Sequence, residues 1–342
     1  MEKSINMMLV ESVVKKALVS IKDSPKRGIR NLIDMALQFS DGRFQKNFFS
    51  LAQTMLQNEN SAYYNLVRDT VAYADSDRLV TFGMNLGYNS CTEGARRIRA
   101  NEEKLNCMIP WTISFRINTQ NFEESREKYD ALICEGESLG IYTWMIFAAN
   151  NMQRVLSLAE NHPDSAFCVF CETDNISAAF LDEVADLYNV MLVIRCEESA
   201  TDLYPTLKEM GMLYSVWYPY GQKDTEAIIN GELFASAQQL SPIFTVLVPN
   251  PDCPKEISHP VYQTVKQVRN DQIYHTLAFE LYEDNRLIDS IISGDACCIY
   301  FDENGDLCDR DKKFKSEHHN LFESSLTDIL MSACPKDMEA QT

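Results

Sequence analysis

From Thr112 onward, short apolar runs alternate six times with amphipathic segments, and that alternation limits the architectures open to this chain. The runs fall at 112–117, 141–147, 165–170, 189–195, 212–218 and 243–248. They are rich in Val, Ile, Phe, Tyr and Trp and apolar toward both faces, as strands covered by helices on both sides are. Between and after them, segments at 122–139, 150–160, 175–187, 200–210, 224–239 and 259–270 carry helical periodicity. Repeated strand–helix steps predict an α/β fold with a parallel sheet and right-handed crossovers, either doubly wound or barrel-like. Six steps fall short of a complete eight-step barrel.

The residues ahead of this alternation are patterned differently. Ile5, Met8, Leu9, Val13, Ala17 and Ile21 recur at helical spacing and predict a helix over 3–22. Ser24-Pro25 ends it, because the residue before a proline is pushed out of helical space. Further helices are expected at 27–39, 42–57, 61–74, 77–87 and 91–105, with Asp75-Ser76-Asp77 supplying an N-cap. Behind the last step come an extended run (273–281) and a hairpin that turns at Asp302-Glu303-Asn304-Gly305 between Cys297–Phe301 and Asp306–Cys308. A helix near 320–332 and a polar tail follow. The expected organisation is a helical extension over 1–106, a partial barrel over 107–285 and a C-terminal hairpin, helix and tail over 286–342.

Charge narrows the range of partners. With 50 acidic and 31 basic residues the net charge is −19, which opposes phosphate binding, so neither nucleic acid nor an anionic membrane is an expected partner. No apolar run reaches membrane-spanning length, and the first 21 residues carry scattered charges that a signal peptide would not tolerate. A cytoplasmic protein is expected. Its eleven cysteines, an odd number, read as free thiols rather than a disulfide framework.

Several motifs succeed one another in a recognisable order: Asn106-Cys107-Met108-Ile109-Pro110-Trp111 before the first strand, Glu135-Gly136-Glu137-Ser138-Leu139-Gly140 before the second, and Ile299-Tyr300-Phe301-Asp302-Glu303-Asn304-Gly305-Asp306-Leu307 near the end. In this order and spacing, over roughly residues 25–332, the chain resembles a group of clostridial radical S-adenosylmethionine proteins. The resemblance implies a partial (β/α)6 TIM-like barrel with an N-terminal helical extension and an active site at the C-terminal strand edge. It also implies a 4Fe–4S cluster held by a C-x3-C-x2-C motif in the loop after the first strand, where soft thiolates ligate iron. Here that loop is Asn118-Thr119-Gln120-Asn121-Phe122-Glu123-Glu124, without a cysteine. The family's Gly-Gly-Glu-Pro turn, which holds the cofactor's amino group, is replaced by Ala148-Ala149-Asn150-Asn151. A Thr-Asn-Gly turn becomes Glu172-Thr173-Asp174-Asn175, and the C-terminal cysteine positions align with Ile291 and Arg310. The expectation is a degenerate bacterial member, a pseudoenzyme in which 4Fe–4S and S-adenosylmethionine are ancestral and lost. It would lack catalytic residues and cofactor and act as a binding, regulatory or accessory protein for a protein partner or small-molecule ligand. Two alternatives stay open: an enzyme with cluster-independent chemistry in the same barrel, or a metalloprotein using Cys297, Cys298, Cys308 and Cys334.

Arg116, Asn118, Asn150, Glu172, Asp174, Arg195, Glu197, Tyr218 and Tyr220 stand at strand ends on the expected ligand-binding edge. Arg116 and Arg195 read either as a ligand clamp or as members of ion pairs filling a vacated pocket. Glu172 with Asp174, or Glu197 with Glu198, could act as acid and base, although neighbouring carboxylates are common in so acidic a chain. Cys168 and Cys171, three apart on a strand, are expected to point to opposite faces and serve as core thiols. Cys171 and Cys196, at the ends of successive strands, are the candidate metal pair. The five histidines show no zinc-hydrolase spacing, and no glycine-rich phosphate loop is present.

Overall fold

The structure is a computed structural model and describes residues 5–38, 43–118, 122–148, 152–197, 202–251, 253–310, 314 and 316–336. Five helices come first: α1 (Ile5–Asp23), α2 (Pro25–Gln38), α3 (Arg43–Met55), α4 (Tyr63–Tyr73) and α5 (Ser76–Gly83). A π-helical run, Met84–Gly94, joins α5 to α6 (Ala95–Leu105) without the break expected after residue 87. Then β1 (Thr112–Ile117), α7 (Phe122–Leu139), β2 (Thr143–Ala148), α8 (Gln153–Asn161), β3 (Ala166–Cys171) and α9 (Ala178–Ala185) alternate. The alternation continues through β4 (Val190–Arg195), α10 (Leu203–Glu209), β5 (Tyr214–Tyr220), α11 (Thr225–Ile229), α12 (Glu232–Ala237), β6 (Phe244–Pro249) and α13 (Lys255–Asp271). The chain closes with β7 (Leu277–Glu280), α14 (Leu281–Ser293), β8 (Tyr300–Phe301), β9 (Leu307–Cys308) and α15 (Leu326–Ala333). The fold class is mixed α/β: parallel strands alternate with helices in the manner of a partial TIM-like barrel, and helices α1 to α6 precede β1 in the chain. β7 and α14 add a strand–helix step to the six visible in the sequence. Among the described residues no helix is long and apolar enough to cross a membrane.

Two compact units divide the chain in space, each built from two segments: 1–82 with 191–284, and 83–190 with 285–342. In the first, β4, β5, β6 and β7 pair in parallel in sequence order. Tyr220, Ile228, Phe234, Leu247, Val261 and Val265 form a core between these strands and helices α11 to α13. In the second, β1 pairs in parallel with β2 and with β8, β2 pairs with β3, and β9 closes the hairpin antiparallel to β8.

The π-helical run is anchored by contacts to a distant part of the sequence. Asn85 donates to the Pro163 and Ser165 carbonyls at 2.8 and 3.0 Å, and Asn89 to the Asp164 carbonyl at 2.8 Å, so two buried amides grip one loop. Gly94 lies so close to Gly140 that a Cβ on it would stand 2.4 Å from the Gly140 carbonyl. Gly140 itself has φ +114°, and Gly136 offers its carbonyl to the Gly140 and Ile141 amides, the arrangement that closes a helix C-terminus.

The segment 135–140 is thus a knot of structural contacts. The Glu135 carboxylate accepts the Leu326 and Thr327 amides at 2.7 and 2.9 Å and the Thr327 hydroxyl, covering the exposed donors at the start of α15. Gly136 leaves room for Trp144, whose ring a Cβ would meet at 2.4 Å. Glu137 accepts the Ser165 hydroxyl at 2.6 Å and faces the buried His162 at 3.4 Å. A second knot sits at the hairpin turn, where Asp302 accepts the Asn304 and Asp306 amides and Gly305 takes φ +76°. Asp289, 1 % exposed, accepts the Trp111 amide at 2.7 Å and so fixes the approach to β1 from α14.

Substituting Glu135→Ala removes a charge-assisted cap from α15 and leaves two part-buried amides without acceptors, and should destabilise the protein by about 2 kcal/mol. Urea unfolding followed by circular dichroism measures this, and an unchanged midpoint would refute the capping role.

Candidate functional site

Parallel register sorts the side chains of β1, β2 and β3 into rows. Ile113 stands beside Trp144 and Phe167, and Phe115 beside Ile146, Val169 and Phe301. These residues are buried against the helices: Phe115 meets Tyr129 of α7 edge-on at 5.5 Å and stacks on Trp144 at 5.6 Å. The residues between them point to the opposite face. There Ser114 aligns with Met145, Cys168 and Tyr300, and one step nearer the C-terminal strand edge Arg116 aligns with Phe147 and Phe170. α14 crosses this face lower down, where Asn285 reaches the Met145 sulfur.

Arg116 is half-buried, with its guanidinium 5.7 Å from the Phe147 ring centroid and 5.8 Å from that of Tyr300. Phe147 stacks in turn on Phe170 at 4.0 Å. Among the described residues Arg116 makes no ion pair, so its charge is balanced only by ring faces. A guanidinium placed this way keeps its N–H edge for a planar anion, and a carboxylate fits it in two-point fashion. Of the other expected mouth residues in this unit, Asn118 follows β1 directly, Glu172 precedes a short 3-10 turn (Thr173–Asn175) and Asp174 within that turn is exposed. Asn150 lies outside the described residues, as do 119–121 and 198–201, which include Glu198.

The other unit treats its arginine differently. Arg195, at the end of β4, lies over Trp217 at 5.6 Å and pairs with the exposed Glu197 at 3.1 Å. Sequence placed the two arginines on an equal footing; geometry separates a neutralised one from one that is not. Tyr218 points its hydroxyl at the Cys196 sulfur, 2.6 Å away, and burial pushes both groups above their ordinary range. Tyr220 is fully buried and donates at 2.8 Å to Glu280, which is also fully buried.

Glu280 was not singled out from sequence, although a lone acid closing the run Leu277-Ala278-Phe279 was a usable signal. It caps α14: its carboxylate accepts the Glu283 amide at 2.6 Å, while Asp284 reaches back to the Glu280 amide at 2.8 Å. Arg269 and Tyr262 hold Asp284 at 2.8 and 3.2 Å. Burial raises the Glu280 pKa to about 7, against the opposing pull of its two donors. Phe147 and Tyr300 were also missed. Aligning the ends of the first two apolar runs would have set Phe147 beside Ile117, one residue away from its partner Arg116, and β8 is too short to be placed from its sequence.

The two cysteines of β3 are core thiols. Cys168 lies on the Arg116 face and Cys171 on the helix-packed face, both buried; burial pushes the Cys168 thiol up to about 12 and Cys171 further still. Cys171 and Cys196 belong to different units. Among the described residues no three or more His, Cys, Asp or Glu side chains converge as a metal site.

No family model matches the chain, and no curated protein matches it. Solved structures do. The chain is similar to Streptococcus suis SuiB bound to precursor peptide SuiA, at 12% identity and TM-score 0.51, covering 71% of this chain and 70% of SuiB. SuiB bound to S-adenosylmethionine matches at 11% identity and TM-score 0.49, over 71% and 69% of the two chains. A further SuiB structure matches at 11% and 0.49, over 94% and 82%. At such identity the likeness is one of fold.

The Glu280 carboxyl makes stability depend on pH. Its folded pKa of about 7 lies above the ordinary glutamate value, so the unfolded chain releases the proton first. Its contribution is therefore present below about pH 4.5 and is lost as pH rises to about 7, by roughly 3 kcal/mol. Denaturant midpoints of the native protein and Glu280→Gln, compared from pH 4.5 to 8, should differ in slope across this window. Parallel curves would refute the assignment.

Proposed function

We propose that this chain is a radical S-adenosylmethionine-type barrel that works without the cluster, as a binding protein whose ligand presents a carboxylate to Arg116. The observation that carries the reading is the absence of cysteine from 118–124, together with an arginine of the preceding strand that makes no ion pair among the described residues. The residues present do not fit a 4Fe–4S cluster. Three thiolates from one loop are needed, whereas Cys168 and Cys171 are buried on opposite faces of β3 and Cys196 is engaged by Tyr218. The sequence Ala148-Ala149-Asn150-Asn151 also lacks the glycines of the family's cofactor turn. A peptide is the favoured ligand class, because SuiB, which shares the fold, has been seen with its precursor peptide. Rings beside a cation suit such a ligand, the rings covering apolar atoms and the guanidinium orienting an acid group.

An enzyme with cluster-independent chemistry is the second reading. It is favoured by Glu280, whose pKa of about 7 suits proton transfer near neutrality. It ranks lower because Glu280 is fully buried and both its oxygens are engaged.

Anaerobic reconstitution with iron and sulfide, followed by metal analysis and a visible spectrum, tests the first part. The expected product is colourless; about four irons per chain, the content of one 4Fe–4S cluster, would overturn the proposal. Calorimetric titration should show no heat with S-adenosylmethionine. A peptide found to bind should lose about tenfold in affinity when its acidic residue becomes an amide or when the protein carries Arg116→Gln, as loss of one charge-assisted hydrogen bond requires.

A further inference from the structure

The unit that carries Arg116 brings together two thiols that the site does not use. Cys297, in the segment leading into β8, directs its S–H at the sulfur of Cys334, at the end of α15, 3.3 Å away. The two residues are 5% and 6% exposed. Both backbones are anchored. The Cys334 carbonyl accepts the Met108 amide at 2.7 Å, Pro335 bridges to Cys107, and Lys336 pairs with the buried Glu102 at 3.1 Å. The Cys297 amide donates to the Asp289 carboxylate, which also holds Trp111. Two fixed strands of backbone therefore leave the sulfurs about 1 Å beyond bonding distance. No third ligand joins them in a metal group among the described residues, so the chemistry available is that of a pair.

We propose that Cys297 and Cys334 are a reversible redox pair, closed into an intramolecular disulfide by a peroxide. Accepting the Cys297 S–H favours the Cys334 thiolate and lowers its pKa, which makes Cys334 the attacking sulfur. The Cys334 thiolate bonds to one peroxide oxygen and the O–O bond breaks, giving a sulfenic acid and hydroxide, which is protonated to water. The Cys297 sulfur then displaces the sulfenic hydroxyl, which leaves as a second water with the Cys297 proton. Two thiols and one hydrogen peroxide become one disulfide and two waters; the sulfurs lose two electrons and the peroxide oxygens gain them.

The bond has a consequence for the site. Tyr300 follows Cys297 by three residues, and β8 pairs with β1 beside Ser114 and Phe115. Oxidation ties the start of that segment to α15 and braces the wall that covers Arg116, whereas the reduced chain holds it by non-covalent contacts alone. The inference is independent of the binding function proposed above.

The test uses the full chain, reduced, freed of reductant, exposed to stoichiometric hydrogen peroxide, alkylated and digested without reduction. Mass spectrometry should find a Cys297–Cys334 peptide about 2 Da lighter than the two thiol peptides together and split by dithiothreitol. The oxidised protein should melt about 5 °C higher, as a bond closing a long loop requires. Cys334→Ser should lose the linked peptide and the shift, and Cys107→Ser should keep both. The proposal is overturned if either sulfur is linked instead to Cys107 or Cys298. It is equally overturned if both remain thiols at a peroxide dose that oxidises the exposed Cys134, or if the reduced protein holds stoichiometric zinc.

Discussion

A parallel strand sends successive side chains to opposite faces, and in-register pairing carries that choice unchanged to its neighbours. In the β1 unit everything else depends on this. Ile113, Phe115 and Trp144 face the helices and supply burial, while Ser114, Arg116 and Phe147 face the other way and supply polarity and ring surface. A one-residue slip would bury a guanidinium under α7 and turn Phe115 away from its stack. Hydrophobic burial therefore holds the register, and the register places the arginine.

The two arginines show how little a residue type says without its surroundings. Arg195 has Glu197 within 3.1 Å and lies over Trp217, so its charge is answered from within the chain. Arg116 lies between Phe147 and Tyr300, which stabilise a cation without neutralising it. That difference is why the proposed binding function rests on Arg116 rather than Arg195, although both sit near the ends of their strands. The buried acids do different work. Glu280 and Asp284 cap α14, and Asp289 ties α14 to the approach to β1, which accounts for carboxyl groups far from water.

The motifs on which the resemblance rests prove to be joints. Glu135 caps α15, Gly136 admits Trp144, Gly140 turns the chain against Gly94, and Asp302 with Gly305 closes the hairpin. Such residues are answerable to packing, hydrogen bonding and backbone conformation rather than to a cofactor, so they can persist where loop chemistry differs. The joints were legible as motifs, but their reasons were not, because Glu135 and Leu326 are 191 residues apart in sequence.

The sequence by itself determined the α/β class, the helical segments ahead of β1, the six alternating steps and the Asn-Gly hairpin turn, because periodicity and turn chemistry are local. It also placed Arg116, Arg195, Tyr218 and Tyr220 at strand ends, since a strand end is read from its own residues. Only the tertiary structure decided which of them has a counter-ion, that β7 pairs with β6 and is followed by a further helix, that Glu280 is buried beneath Tyr220, and that Cys297 meets Cys334. Each of these is a contact between segments distant in the chain. Its energy depends on which groups share a desolvated space, and one-dimensional order does not carry that information.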